Sequence, residues 1–146
     1  MNDPHAAPCA FCEIIAGREP AHVVWADDGA VVFLDRNPIA PRHVLIVPRR
    51  HATTLWDLTE AEYLNLMALA RSLAEPLSQA LRADRAAMAV EGYGVPHAHI
   101  HLVPVNGPGQ LDPNRQSPAT EDELDTAAEA LQAVIDRTRG GEDVQP

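Results

Sequence analysis

Phe11, Ile14 and Ile15 recur at helical steps, so the apolar pattern opens with a short helical turn. Three runs rich in β-branched and aromatic residues follow, around positions 22–25, 30–34 and 43–47. They read as strands. Asp27-Asp28-Gly29 separates the first two, and Asp-Gly between apolar runs predicts an antiparallel hairpin. Pro38 and Pro41 mark the connection to the third. A helix then starts at Thr59, where Thr59-x-x-Glu62 forms a capping box. Leu66, Leu69, Leu73, Leu77 and Leu81 give it one apolar stripe. Pro76 lies within that stripe and predicts a kink rather than an end, because the pattern continues beyond it. Residues 86–90 and 97–105 read as two more strands, and 106–119 as a Gly/Pro/Asn-rich loop. A second capping box, Thr120-x-x-Glu123, starts a last helix that Gly140-Gly141 should end. About five strands in hairpin-like succession with two main helices predict an α+β fold on an antiparallel sheet.

The 146 residues suit one domain, placed at 9–138 between flexible ends at 1–8 and 139–146. With 46% hydrophobic and 22% charged residues, the chain can build a core and is not a disordered one. A formal charge of −10 argues against a nucleic-acid partner, since polyphosphate would be repelled. No apolar run approaches the roughly 18 residues of a membrane span, and the first residues lack the pattern of a secretory signal. A cytoplasmic location is the expectation. All basic side chains are arginines, and four of them, Arg36, Arg42, Arg49 and Arg50, fall in an acid-free stretch where they would steer an anionic substrate or simply form a solvated edge. Glu121-Asp122-Glu123 suits the positive end of a helix dipole and needs no function.

The most informative residues are Pro96-His97-Ala98-His99-Ile100-His101-Leu102-Val103-Pro104. In a strand His97, His99 and His101 line one face, and Ala98, Ile100 and Leu102 the other. At a rise of about 3.3 Å per residue, the outer two backbones lie about 13 Å apart, too far for all three to share one ion. Neighbouring imidazoles also disfavour protonation together. Imidazole is a nucleophile and a general acid–base, so such a ladder suits attack at phosphorus with hydrogen bonds to the phosphate oxygens. His5 and His22 read as ordinary structural histidines.

The run His97-Ala98-His99-Ile100-His101-Leu102-Val103 resembles the signature of the histidine triad (HIT) nucleotide hydrolases and transferases. The stretches from Phe11 to Pro20, Phe33 to Pro38 and Ala40 to His51 are similar to that family too, so the resemblance covers about residues 9–105. It implies a HIT-like homodimer with a sheet joined across the two copies. It implies His99 as nucleophile, with His101 and His43 bonding the phosphate and assisting the leaving group. Asp35 would accept from the ribose hydroxyls, a role suited to an acceptor-only carboxylate. Phe11, Ile14 and Phe33 would line the apolar slot for the base, although core packing explains Ile14 and Phe33 as well.

Cys9-x-x-Cys12 alone fits half a zinc site, a redox pair or two unrelated thiols. The resemblance to bacterial, Hint-like members implies zinc, with His51 and His97 completing a closed Cys₂His₂ set. That structural Zn²⁺ would tie the N-terminus to the catalytic strand. One departure stands out. Glu91-Gly92-Tyr93-Gly94-Val95-Pro96 is shorter than the family's usual approach to the ladder, which bears on the leaving group.

The expected reaction is hydrolysis or transfer at the α-phosphorus of a purine nucleotide through a nucleotidyl-histidine. Nucleoside phosphoramidates are the leading substrates, with dinucleoside polyphosphates and adenylates as alternatives. Two rivals remain: a zinc-containing interaction module without turnover, and a metallohydrolase with an open zinc site.

Overall fold

The computed structural model of the chain describes residues 9–144, with side chains to position 137. The start at 1–8, expected to be flexible, and positions 145–146 lie outside the described residues. Helix α1 (Ala10–Ile15) is followed by the hairpin β1 (Val23–Ala26) and β2 (Ala30–Leu34), then by β3 (Val44–Pro48). Helix α2 (Glu60–Leu81) leads to β4 (Arg85–Ala89) and β5 (Ile100–Val105), and α3 (Glu121–Val144) closes the chain. The five strands form one sheet in the order β1-β2-β3-β5-β4, with every neighbour antiparallel.

Local chemistry sets these elements. The Asp27 carboxylate accepts from the amides of Gly29 (2.8 Å) and Ala30 (2.9 Å) and closes the β1–β2 turn. Gly17, at φ +78°, takes the left-handed turn that stops α1. At α2, Thr59 Oγ1 accepts from the Glu62 amide and the Glu62 carboxylate accepts from the Thr59 amide, the reciprocal cap expected there. Helix α2 continues through Pro76. Helix α3 likewise runs through Gly140-Gly141, which was expected to end it. Glycine costs a helix interior only about 1 kcal/mol relative to alanine, too little to stop a helix already nucleated upstream.

The central strands β2 and β3 are buried on both faces. Val32, Leu34, Val44 and Ile46 point to one side with Ile100 and Leu102, beneath Leu66, Leu69, Leu73 and Leu77 of α2 and Leu124, Leu131 and Ile135 of α3. The leucine stripe is therefore core. Val31, Phe33, Leu45 and Val47 point to the other side and pack on Phe11 of α1. The two alternating sets explain why these strands read as continuous apolar runs. They also place α1 over the face from which the histidines project.

The ladder differs from a single strand over 97–105. Regular pairing begins at Ile100, although Ala98 still faces the core with Ile100 and Leu102. The reason lies in β3. Pro48 has no N–H to donate, and its carbonyl is taken by the His97 ring at 2.8 Å rather than by a ladder amide.

Candidate functional site

Two clusters of side chains meet at the start of β5. The first joins α1, the segment after β3 and the bend before β5. His97 Nδ1 lies 3.4 Å from Cys9 Sγ, 3.5 Å from Cys12 Sγ and 3.2 Å from His51 Nδ1, while Cys12 Sγ lies 3.3 Å from His51 Nδ1. A tetrahedral zinc site has N–N edges of about 3.3 Å and S–N edges of about 3.5 Å. The donor set and spacing therefore fit that ion. His97 Nε2 donates to the Pro48 carbonyl, which leaves Nδ1 as the lone pair facing the other three ligands. Burial, with Cys9 beside it, pushes the Cys12 thiol up to about 11. All four residues inferred for zinc from the resemblance are brought together.

The second cluster is the catalytic candidate. His99 Nδ1 donates to the His97 carbonyl at 2.6 Å, so in the neutral ring Nε2 carries the free lone pair. Phe11 packs edge-on against that ring with centroids 5.0 Å apart. Ile39 N–H donates to His43 Nδ1 at 3.0 Å, which puts the His43 proton on Nε2. That nitrogen lies 3.0 Å from His101 Nδ1 and donates to it. The His101 proton is thereby set on Nε2, a nitrogen that no other described residue engages. One backbone amide fixes the tautomer of two rings.

Electrostatics keep those rings neutral. Burial, then His101 and His99, hold His43 down at about 3, and burial with His99 holds His101 down at about 4. Both are uncharged at neutral pH. Asp35 accepts from the Asn37 amide at 2.9 Å, and its other oxygen lies 3.6 Å from His43 Nε2. Burial pushes its carboxyl above the ordinary value, against the Asn37 amide and His99. Asp35, His43 and His101 are close enough to suggest a second metal triad. The tautomer argues otherwise, because the His43 nitrogen in question carries a proton.

His99 and His101 open on a cleft of about 770 Å³, whose walls include Phe11, Ile14, Phe33 and Asp35. His43 is fully buried, with both nitrogens engaged within the protein, and reaches the cleft only through His101. The cleft's charged lining is Glu13, Glu19, Asp35, Arg36 and Glu91. Of the four arginines considered for steering, Arg36 donates to the Pro20 carbonyl, Arg42 to Ala80, Arg49 to Asp27, and Arg50 pairs with Glu62. Only Arg36 among them lines the cleft.

Residues 16–107 match the HIT domain family. The chain belongs to the HIT family. That family is one of nucleotide hydrolases and transferases. This HIT protein is 35% identical over 101 residues to an uncharacterized HIT-like protein of Saccharolobus solfataricus, spanning 66% of this chain and 73% of that one. An adenylylsulfatase of Arabidopsis thaliana is 29% identical over 101 residues, 66% of this chain and 51% of that protein. A zinc-bound histidine triad family protein from Mycobacterium smegmatis shares the fold, with TM-score 0.79 at 24% identity over 91% of this chain and 96% of that one.

Several parts of the HIT protein's site carry no sequence signal. The Ile39 amide and the carbonyls of Pro48 and His97 act through backbone, which residue type does not reveal. Leu111, Pro113 and Gln116 line the cleft from the Gly/Pro-rich loop, whose composition predicts a turn but not where it folds. Among the described residues no helix is long and apolar enough to cross a membrane.

Proposed function

We propose that the protein acts at the α-phosphorus of purine nucleoside phosphoramidates or related nucleotides, in the cytoplasm, through a nucleotidyl adduct on His99. The observation that carries this reading is the pair of opposed tautomers: a bare lone pair on His99 Nε2 beside a proton on His101 Nε2. His99 Nε2 bonds to phosphorus as the bond to the leaving nitrogen breaks, its electron pair staying on nitrogen. That nitrogen takes a proton handed from solvent through His101. Water then attacks the adduct, the nucleoside monophosphate leaves, and the released proton returns by the same ring. His43 acts here as a positioning residue. Phe11, Ile14 and Phe33 receive the base, and Asp35 the ribose hydroxyls. The adenylylsulfatase activity named for the Arabidopsis relative acts on an adenylyl compound and supports a nucleotide substrate here.

Cys9, Cys12, His51 and His97 would hold Zn²⁺, which would supply a fixed tether and no reacting group. The closed donor set and the zinc-bound relative from Mycobacterium smegmatis support this. The cleft charges favour the phosphoramidate over the dinucleoside polyphosphate alternative. Four carboxylates line it against one arginine, so an extended polyphosphate finds few cations. The decisive experiment is mass spectrometry of enzyme quenched during turnover, with an adenosine phosphoramidate and a dinucleoside triphosphate in parallel. An adduct on His99 with faster turnover of the phosphoramidate is the expected result. Turnover without any adduct would refute covalent catalysis, and faster polyphosphate cleavage would reverse the substrate order.

We also propose a homodimer built on β4, the last strand of the sheet, where Met88 on the strand and Val90 just past its end are 45% and 41% exposed. A second copy's β4 would pair with the open edge and cover both side chains. Sedimentation should give twice the chain mass, and Met88→Arg should give a monomer. A monomeric wild type would remove the proposal.

A further inference from the structure

Part of the cleft wall belongs to no segment of the family match. That match ends at residue 107, yet Leu111, Pro113 and Gln116 face the same cleft as His99 and Asp35. They come from the strap between β5 and α3, and the strap is pinned in place. Asp112 caps the short turn at Pro113–Arg115, and the Gln116 amide donates to the Pro113 carbonyl at 3.1 Å. Just beyond, the Ala119 amide donates to the Arg36 carbonyl at 3.0 Å, and the Ser117 amide approaches the Pro38 carbonyl at 3.4 Å. Gln116 is therefore laid alongside the turn that carries Asp35, Arg36 and Asn37. That is the nucleoside end of the cleft rather than the end bounded by Glu91 and Tyr93, which continue from β4 beside His101.

The Gln116 amide is occupied, while its exposed carboxamide makes no hydrogen bond to another described residue. A carboxamide offers one acceptor and two donors in a plane. Adenine offers the complement on one edge, an N6 donor beside the N7 acceptor, and glutamine reads that edge with two parallel bonds. Guanine and hypoxanthine present O6 and N7 there, two acceptors, so the carboxamide oxygen would face a lone pair. Leu111 adds apolar surface beside it.

Resting on the nucleotide reading above, we propose that Gln116 is a specificity-determining residue that selects adenine over 6-oxopurines by bonding the N6/N7 edge of the base. The strap thus supplies a discrimination that the family's own segment does not encode.

The test measures Kd for AMP, GMP and IMP by calorimetry, and kcat/KM for the three matching phosphoramidates, in wild type, Gln116→Ala and Gln116→Arg. Wild type should favour adenine by about tenfold over both 6-oxopurines, one well-made bidentate pair. Gln116→Ala should bring the ratio below about twofold with the His99 adduct still forming. Gln116→Arg should reverse it, because two guanidinium donors match O6 and N7. IMP separates reading of the 6-position from reading of the guanine 2-amino group and should behave as GMP does. An adenine preference that survives Gln116→Ala, or no preference in wild type, overturns the proposal while leaving the nucleotide reading intact. Failure to bind or turn over any of the three would sink that reading and this one with it.

Discussion

His99→Ala is expected to abolish turnover, with kcat/KM falling by on the order of 10⁴-fold or more, the scale of losing a covalent nucleophile. Nucleotide Kd should shift by less than about fivefold, the worth of one hydrogen bond to the phosphate. The split follows from where the ring sits. Its Nδ1 is committed to the His97 carbonyl, so Nε2 contributes little to holding the base or ribose and everything to the reacting bond. Quenched samples should carry no adduct. A variant that keeps more than about 1% of wild-type kcat/KM would place the nucleophile elsewhere. Equal loss of binding and turnover would instead make His99 a binding residue, whereas the interaction-module reading requires that wild type itself show no turnover and that His99→Ala bind much as wild type does. His99→Gln guards against a packing artefact, since it keeps a side chain of similar reach against Phe11 and should be equally inactive.

The second large effect concerns the Cys₂His₂ cluster. Purified protein is expected to contain one zinc per chain by elemental mass spectrometry, and Cys9→Ala should lose it. Structural zinc sites contribute several kcal/mol to folding, so Tm should fall by on the order of 10 °C. Unlike a zinc finger, the chain should stay folded without metal, because the α2–α3 side of the sheet has a large core of its own. Activity should fall as well, for a reason specific to His97. Its ring belongs to the cluster and its carbonyl orients the nucleophile, so loosening one end releases the other. Metal-free protein with unchanged Tm and kcat would remove the structural zinc. Activity lost to a chelator and restored at once by cobalt with altered substrate preference would favour the open-site metallohydrolase.

The order of elements was largely legible because local signals agree with tertiary ones. Asp-Gly at 28–29, the Thr59 box and the leucine stripe each specify one structure, and each is found there. The limits of the strands are less legible. Pairing at β5 starts three residues later than the histidine alternation suggests, since it depends on a proline in another strand. Side-chain roles separated similarly. Three alternating histidines announce chemistry, and the HIT resemblance assigned residues that the fold brings into two clusters. Neither signal tells that His43 stands buried one ring behind the cleft, or that an amide at Ile39 sets the proton on it. Nor did residue type show that Arg42, Arg49 and Arg50 turn from the cleft to other partners. An arginine run in an acid-free stretch looks like an anion trap until the carbonyls and the carboxylate that hold the guanidiniums are known.

The two faces of β2 and β3 differ in what they can tolerate. Phe33 packs on the α1 side of the cleft while Leu34, one position on, borders the cleft and packs under the helices, so catalytic floor and core are set by the same five-residue strand. Any volume change beneath the sheet is transmitted to the floor above it. The strap and the Glu91–Tyr93 rim share no such strand. Diversification among proteins built on this sheet therefore has its freest ground at the lip, where new substrates can be admitted while the reacting imidazoles stay where they are.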